Sequence, residues 1–444
     1  MSVGGTPSLN FIGDTVGDVA PHSMSEMRGI RFASGNSPTT GSISLSDFRN
    51  QVLTRRWPEQ DKIQPSDIQA NDQFGYSVSI SSDGNTALVG MDNAAYIFTR
   101  SGTTWTELQK IQSSDIETYF RFGHAVSISS DGNTTIVGAP RESYRKASGG
   151  AAYIFTRSGT TWTEQQKIEA PDKQEYDQFG YSVSISSAGN TAIVGAPYED
   201  SGGFEIGSAY IFTRSGTTWT RQQKIQASDK QAADYFGWSV SISSDGNTAI
   251  VGAVDEDPDG VNDAGSAYIF TRSGITWTEQ QKIKALDKEA SDFFGESVAI
   301  SGDGNTALVG AIYDGTIGNE RVGAAYIFTR SGTTWTEQQK IQASDKQAQD
   351  NFGYSVSISG DGNTALVATG GYGIRPAYIF TRSGTTWTEQ DKIQASDQEA
   401  HDFFGRTAVS ISSDGNTALV GASKEDTGGT DAGAAYIFET SYYI

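Results

Sequence analysis

The segment "FGWSVSISSDGNTAIVGAVDEDPDGVNDAGSAYIFTRSGITWTEQQKI", residues 236–283, contains the pattern that decides the fold. Four runs rich in β-branched and aromatic residues, "SVSIS", "TAIVGA", "SAYIFTR" and "TWTEQQKI", are separated by turn residues. Asp-Gly and Arg-Ser-Gly between such runs favour tight hairpins, because glycine adopts a positive φ at little cost. We name the four predicted strands A to D in chain order. Together they predict an antiparallel four-stranded meander.

The same pattern recurs seven times along the chain. Each copy opens with Phe-Gly, and successive copies are 48 to 58 residues apart. A four-stranded sheet has two apolar faces and cannot bury both alone, so consecutive copies must stack. The repeat therefore predicts an all-β fold, a seven-bladed β-propeller in which each copy is one blade. The opening phenylalanines are Phe74, Phe122, Phe179, Phe236, Phe294, Phe352 and Phe404.

The two ends of the repeat region complete one another. The seventh copy contains strands A, B and C but no strand D, whereas "RWPEQDKIQPSD", residues 56–67, is a strand D with no blade before it. Pairing this N-terminal strand with the last blade covers an open sheet edge and closes the ring. We therefore predict an N-terminal arm over residues 1–55 and a propeller over residues 56–444.

Composition and motifs argue against several classes of function. The 444 residues include 53 acidic and 32 basic ones, a net charge of −21, which disfavours binding of nucleic acid through its phosphates. No apolar run is long enough to span a bilayer, and cysteine is absent, so we expect neither membrane insertion nor thiolate sites. His22, His124 and His401 lie at unrelated positions, and neither G-x-S-x-G nor H-E-x-x-H occurs. We expect no enzymatic activity.

Two copies carry a longer shared motif, "FGHAVSISSDGNTTIVGAP" at residues 122–140 and "FGYSVSISSAGNTAIVGAP" at residues 179–197. They resemble the FG-GAP repeat of integrin α-subunit propellers and their bacterial relatives, and the resemblance extends over all seven copies. It implies a seven-bladed propeller but little about activity, because function lies in sites added to a fold. In that family, the blades that bind calcium have a loop similar to D-x-D-x-D-G-x-x-D between strands A and B. Here that connection is only "SSDGN" or "SGDGN", too short for such a cage.

A string similar to that calcium loop occurs elsewhere, as "DEDPDGVND" at residues 255–263 between strands B and C of the fourth blade. Aspartates occupy alternate positions of this string, at Asp255, Asp257 and Asp259. Gly260 permits a sharp reversal of the chain, and Asp263 is placed to complete a cage of oxygens around the ion. The string predicts a Ca²⁺ site. The alternative is an acidic surface turn.

The predicted loops between strands B and C differ in length, charge and aromatic content, while the strands beneath them are nearly identical. Loops on a rigid scaffold are where binding sites are usually built. Tyrosine and arginine give contact area and hydrogen bonds at modest entropic cost. The alternative is unselected loop drift. The predicted partner-binding residues are Tyr144, Arg145, Lys146, Tyr198, Phe204, Tyr313, Arg321, Tyr372 and Arg375.

The first 55 residues share nothing with the repeat, and their apolar residues include the candidate anchoring residues Ile43, Leu45 and Phe48. The segment "SGNSPTTGSISLSDFRN", residues 34–50, resembles short segments in structural and tail-fibre proteins of marine bacteriophages and some algal viruses. The resemblance implies a virion protein whose arm binds other virion subunits and whose propeller binds a host surface protein or glycan. The alternative is a bacterial extracellular or cell-surface propeller acting as a scaffold or adhesin.

Overall fold

The computed structural model describes residues 30–31, 54–115, 121–141, 149–201, 203–315 and 321–443. The chain divides into two compact units, Glu59–Phe438, which we call the propeller, and a smaller unit formed by Met1–Pro58 and Glu439–Ile444. Six predicted residues lie outside the described part of the chain. They are the anchoring residues Ile43, Leu45 and Phe48 and the loop residues Tyr144, Arg145 and Lys146.

The propeller consists of seven four-stranded antiparallel sheets, which confirms the predicted all-β fold. Strand A spans Ser77–Ile80, Ala125–Ile128, Val183–Ile185, Val240–Ile242, Phe294–Ile300, Phe352–Ile358 and Phe404–Ile411. Strand B spans Thr86–Met91, Thr134–Ala139, Thr191–Ala196, Thr248–Ala253, Thr306–Ala311, Thr364–Thr369 and Thr417–Ala422. Strand C spans Ala94–Ser101, Ala151–Ser158, Ser208–Ser215, Ser266–Ser273, Ala324–Ser331, Ala377–Ser383 and Ala434–Glu439. Strand D spans Thr104–Ile111, Thr161–Ile168, Thr218–Ile225, Thr276–Ile283, Thr334–Ile341, Thr386–Ile393 and, for the seventh blade, Glu59–Ile63.

The ring closes as the sequence predicts. Strand Glu59–Ile63 pairs antiparallel with Ala434–Glu439, with Lys62 opposite Tyr436 and Ile63 opposite Ala435. The strands A contact one another in chain order, and the seventh also contacts the first. The closing strand begins at Glu59, directly after Pro58, which has no N–H to donate to a ladder.

The smaller unit contains one three-stranded sheet. Its central strand, Ser441–Tyr443, pairs parallel with Ile30–Arg31 and antiparallel with Thr54–Arg56. Helical structure in the described residues is confined to one 3₁₀ turn, Pro258–Gly260, and nothing there is a helix able to cross a membrane.

The apolar core lies between adjacent blades. Phe294, the opening phenylalanine of the fifth blade, is fully buried, with ring centroids 5.5 Å from Tyr326 and 5.9 Å from Phe328 in edge-to-face geometry. The same cluster includes Ile250 and Ile269 of the preceding blade. Every blade repeats this arrangement of rings, so each sheet covers its neighbour.

Two glycines meet at six of the seven interfaces between blades. A Cβ added to Gly252 of strand B would lie 2.2 Å from the carbonyl oxygen of Gly295, the glycine of the next Phe-Gly. Between the sixth and seventh blades the strand B glycine is replaced by Ala368. There the facing strand A is one residue longer than its counterparts in the two preceding blades, and its register shifts between Phe404 and Val409. The interface that contains the extra methyl group, that of Ala368, is thus also the one with the longest strand A.

A three-residue clamp joins each blade to the crossing that precedes it. In the fourth blade the Tyr268 hydroxyl donates to Asp229 at 2.8 Å, and the Lys282 ammonium lies 2.9 Å from the same carboxylate. Burial opposes ionisation of Asp229, but the hydrogen bonds from Lys282 and Tyr268 prevail and lower its pKa. The clamp aspartates are Asp67, Asp115, Asp172, Asp229, Asp287, Asp345 and Asp397.

Serine hydroxyls in strand A link each blade to the next. The Ser241 hydroxyl accepts the backbone N–H of Ile300 at 3.2 Å, and six of the seven described interfaces contain an equivalent bond. The exception is the fifth blade, where Ala299 occupies the serine position and faces the next blade's Ile358.

Replacing Ala299 with serine is therefore expected to stabilise the propeller by about 1 kcal/mol, because a new hydroxyl would accept the Ile358 N–H. Urea unfolding of Ala299→Ser beside the parent protein measures this change. Ser241→Ala is the matched control and should lose a similar amount. A destabilised Ala299→Ser variant would contradict the assigned role of these serines.

Candidate ligand-binding site at the mouth of the central channel

One position in each blade departs from the repeat, namely the residue directly after Phe-Gly. The phenylalanine is buried in the core and the glycine contacts the preceding blade, so the next side chain extends towards the ring axis. All seven side chains at this position are partly buried, and they comprise three tyrosines and one each of histidine, tryptophan, glutamate and arginine. We call this set the cup, and its members are Tyr76, His124, Tyr181, Trp238, Glu296, Tyr354 and Arg406.

Cup residues of consecutive blades touch, which places them around the axis. Ring centroids are 5.2 Å apart for Tyr76 and His124, 4.9 Å for His124 and Tyr181, and 4.8 Å for Tyr181 and Trp238. If all seven side chains followed this spacing they would form a ring about 11 Å across, with roughly 7–8 Å between opposite van der Waals surfaces. Such an opening admits one side chain or one sugar ring but not an α-helix, which is about 10–12 Å wide.

Several titratable cup residues have shifted pKa values, among them His124 and Glu296. Burial lowers the pKa of His124 to about 3, and the charges of Arg121 and Arg141 act in the same direction. His124 is therefore neutral at physiological pH. Burial raises the pKa of Glu296 to about 7, against a hydrogen bond from Trp238.

Arg406 is the only cation of the cup. Its guanidinium carbon lies 4.3 Å from the ring centroid of Phe403, 5.2 Å from Tyr372 and 5.5 Å from Tyr354. Its Nη1 atom is buried and has no hydrogen-bond partner. A buried donor on a charged group that lacks a partner is unfavourable, so this atom marks a place where an acceptor would be stabilised.

Charge is distributed unevenly around the cup. Burial raises the pKa of Tyr76, and three nearby cations oppose that rise, those of Arg121, Arg141 and Arg406. Across the ring, the pKa of Tyr198 is raised by burial and by the carboxylates of Glu205 and Asp255. The mouth therefore has a positive side and a negative side, although the clamps beneath repeat blade by blade.

The opposite end of the channel is narrowed by small residues. Ser82 donates its backbone N–H to Ser130, Ser130 donates to Ser187, and the pattern continues through Ser187 to Ser244 and Ser244 to Gly302, at 3.0 to 3.2 Å. These residues lie in the turns between strands A and B.

A small pocket adjoins the positive side of the cup. It has a volume of about 120 Å³, and its walls include Tyr76 and His124 of the cup together with Gln73, Asp92 and Arg121. These residues supply hydrogen-bond donors and acceptors beside the aromatic rings.

Two of the loop residues predicted from sequence lie beside the cup. The Tyr198 ring is 6.5 Å from that of Tyr181, and Tyr372 contacts Arg406 as described above. Phe204 is 66% exposed, well outside the core. No observation tests whether these side chains contact a partner, and that role stays a prediction.

The other predicted loop residues are engaged within the protein. Arg321 lies over the Tyr313 ring at 4.3 Å. Arg375 forms an ion pair with Asp350 and donates to the carbonyl oxygen of Tyr372 at 3.1 Å. Their side chains are thus held in fixed positions on the loop face.

Three of the four aspartates of the predicted calcium loop lie close together, and the fourth forms an ion pair elsewhere. Burial raises the pKa of Asp255 to about 6, and the charges of Asp263 and Asp257 add to the rise, so these three carboxylates are close. Asp259 instead pairs with Lys284 at 2.6 Å. Among the described residues no group of three or more His, Cys, Asp or Glu side chains forms a metal-holding arrangement. Calcium binding stays a prediction.

Calorimetric titration with calcium chloride tests that prediction. A Ca²⁺ site in this loop should give a saturable heat in the parent protein that Asp257→Ala abolishes. Asp426→Ala, in the corresponding loop of the seventh blade, should keep the heat. Calcium-independent traces for the parent protein would rule the site out.

Buried acids also predict how stability depends on pH. Burial raises the pKa of Asp177 and Asp234 to about 6 and of Asp292 to about 7. Since these acids bind protons more tightly when folded, the stability they contribute is lost as pH rises through about 4 to 7. The clamp aspartates have lowered pKa values, and their contribution is lost as pH falls below about 4.

We therefore expect the melting temperature to be highest near pH 4–5 and to decrease towards about pH 8. Scanning calorimetry across this range measures it. Asp292→Asn should flatten the decrease between about pH 5 and 7, because the amide needs no proton. A melting temperature that rises steadily from about pH 5 to 8 would contradict the assignment.

Comparison with known proteins agrees with this architecture. A family profile described as FG-GAP repeat matches residues 57–102, 105–155, 162–212, 219–270, 277–328, 335–380 and 387–438. Among solved structures, Kuenenia stuttgartiensis hydrazine synthase is similar with a TM-score of 0.53 and 12% identity, covering 81% of this chain and 95% of that one. The β-propeller domain of Myceliophteria thermophila Cps50 (Swd1) has a TM-score of 0.56 and 10% identity, covering 86% of this chain and 99% of that one. Such low identities show a common fold alone.

Proposed function

The chain belongs to the FG-GAP repeat family, and from that premise we propose that it is a non-catalytic binding protein. Its ligand contacts the face formed by the B–C loops and the cup. The observation that carries the proposal is the cup itself, in which five different residue types occupy one repeated position of a regular framework. A scaffold with no ligand has no need to vary this position while its neighbours stay constant.

The loops around the cup have fixed bases, which supports a binding surface. In the third blade the carbonyl oxygens of Phe204 and Ile206 accept the N–H groups of Ala233 and Phe236 in the next crossing, at 2.9 and 3.0 Å. A loop whose ends are held in this way presents its side chains with little loss of entropy on binding.

Recognition explains the chemistry of the cup better than catalysis does. His124 is neutral and lies between the rings of Tyr76 and Tyr181, and no serine or threonine nucleophile belongs to the cup. Tyrosine, tryptophan and arginine are the residues that most often dominate binding energy.

We further propose that the protein acts on a virion, where the first 55 residues attach it to other subunits and the propeller binds a host surface protein or glycan. This part of the proposal rests on the resemblance of residues 34–50 to phage and algal-virus structural proteins. Cryo-electron microscopy of the native particle tests it. Density for these residues against another virion subunit is expected, whereas a freely secreted chain would favour the bacterial adhesin.

Retention of the full chain on immobilised glycans and cell-surface preparations tests the binding role. Phe204 and Tyr372 are 66% and 64% exposed on the loop face, so Phe204→Ser with Tyr372→Ser should reduce retention at least about tenfold. Ile275, 77% exposed in a C–D turn, gives the matched control, and Ile275→Ser should leave retention unchanged. Equal losses in both variants, or no retention of the parent, would refute a binding role for this face.

A further inference from the structure

Arg406 brings a positive charge to the cup that one negative group of a ligand could match. The rings of Phe403, Tyr372 and Tyr354 surround the side chain, and Tyr354 also shares a hydrogen bond with it. Its buried Nη1 meets no acceptor among the described residues. Strand Phe404–Ile411, which carries it, is the longest of the seven strands A. Guanidinium groups prefer planar, two-oxygen acceptors, so a carboxylate matches this donor.

The surrounding charge favours a single small anion. Arg121 and Arg141 act on Tyr76 together with Arg406, and these three cations outnumber the one carboxylate that acts on it, Asp92, so this side of the cup is positive. The whole chain has a net charge of −21 and would repel an extended acidic polymer. A ligand with one negative group that enters the cup gains the local attraction without meeting the overall repulsion.

The walls on the same side suit a sugar ring. Tyr76 and Tyr354 present aromatic surface, and the adjoining pocket adds the amide of Gln73 and the carboxylate of Asp92. Sugar hydroxyls both donate and accept hydrogen bonds, so they match such a mixed set of partners. A ring of side chains at the spacing of Tyr76 and His124 would leave roughly 7–8 Å, which fits one sugar ring but no folded segment.

We infer that the cup binds a terminal sugar that carries a carboxylate, of the uronic or sialic acid class, with the carboxylate on Arg406 and the sugar ring between Tyr76 and Tyr354. The inference rests on the proposed binding role of the loop face and names its ligand class. An acidic peptide would present few hydroxyl groups to Gln73 and Asp92, and it becomes an outcome of the test.

Titration of the full chain with glucuronate and with N-acetylneuraminate tests the inference. Trp238 reports on the cup, because it is partly exposed there while the other seven tryptophans are only 2–6% exposed. Fluorescence and calorimetry should show binding of at least one acid at least about tenfold tighter than that of its neutral methyl ester. Two further ligands are titrated in the same way, inorganic phosphate and a short peptide that ends in a free carboxylate.

Arg406→Gln should weaken binding of the acid to the level of the ester, and Arg406→Lys should restore it only in part. Arg382→Gln, on the opposite face of the propeller, is the matched control and should bind normally. Should Arg406→Gln fail to fold, Tyr354→Phe and Gln73→Ala supply the same comparison and are expected to weaken binding by a smaller factor.

Equal affinity for acid and ester, or full binding by Arg406→Gln, would overturn the inference. Equal affinity for phosphate would mean a general anion site, and preference for the peptide would mean a protein ligand, and each result also overturns it. If these titrations fail while retention on cell-surface preparations still depends on Phe204 and Tyr372, the binding role stands and only the ligand class is wrong.

Discussion

A chain that begins at residue 64 is expected to lose the cooperative unfolding of the propeller and to aggregate. The truncation removes strand Glu59–Ile63, the only partner of the outer edge of Ala434–Glu439 within the propeller. It also removes Lys62, which lies 2.7 Å from Asp397 and 2.8 Å from Glu425. Since this edge and the adjacent core would be exposed, we expect a loss comparable to the net stability of a whole domain, about 5–15 kcal/mol.

A chain that begins at residue 54 is the matched control, because it retains the closing strand, and it should unfold cooperatively in scanning calorimetry. A synthetic peptide of residues 56–67 added to the shorter chain should restore part of the transition by pairing in trans. Identical unfolding curves for the two truncated chains would show that the closing strand contributes little.

Gly252→Ala is expected to destabilise the propeller by about 3 kcal/mol or more. The new methyl group would lie 2.2 Å from the carbonyl oxygen of Gly295, and backbone on both sides of the interface would have to move. Urea unfolding gives the change in free energy.

Gly274→Ala is the control, because a Cβ there meets nothing within 4 Å and only its φ of +62° is unfavourable. That variant should lose about 1–2 kcal/mol. If Gly252→Ala lost no more unfolding free energy than Gly274→Ala, the result would contradict the close approach of blades through paired glycines.

The blades and their closure were predictable because the signals are local. Hairpin turns such as Asp245-Gly246 and alternating β-prone runs identify each strand, and the two incomplete ends of the repeat identify their partner. Confirmation comes from the register between Lys62 and Tyr436.

Some sequence differences become interpretable only with the structure. In the described blades a strand D glutamate usually accepts the N–H of the preceding crossing, as Glu279 does from Ser228 at 2.9 Å. In the third blade the crossing has Pro171, which has no N–H, and the glutamate position holds Arg221. The sequence contains both changes, but their relation depends on two distant segments meeting at one interface.

The cup was missed from sequence for a similar reason. Seven tryptophans recur once per copy of the repeat and Trp238 is the eighth, yet nothing local shows that His124, Glu296 and Arg406 converge on one axis. Convergence requires the ring to close over all seven blades. The signal that would have found the cup is the one variable position inside an otherwise constant Phe-Gly motif.

The loop predictions illustrate a second limit of sequence reasoning. Tyr198 and Tyr372 lie beside the cup, whereas Arg375 pairs with Asp350 and Asp259 pairs with Lys284. Charged loop residues look equally available in sequence, but which of them are neutralised depends on partners from the next crossing.

The most direct test of the central claim is a crystal structure of the full chain soaked with glucuronate or N-acetylneuraminate. We predict density for one sugar in the cup, with its carboxylate within hydrogen-bond distance of the Arg406 guanidinium group and its ring against Tyr76 and Tyr354. A sugar bound only at the C–D turns, or a cup that stays empty at saturating sugar concentration, would contradict the claim that this propeller meets its ligand at the cup.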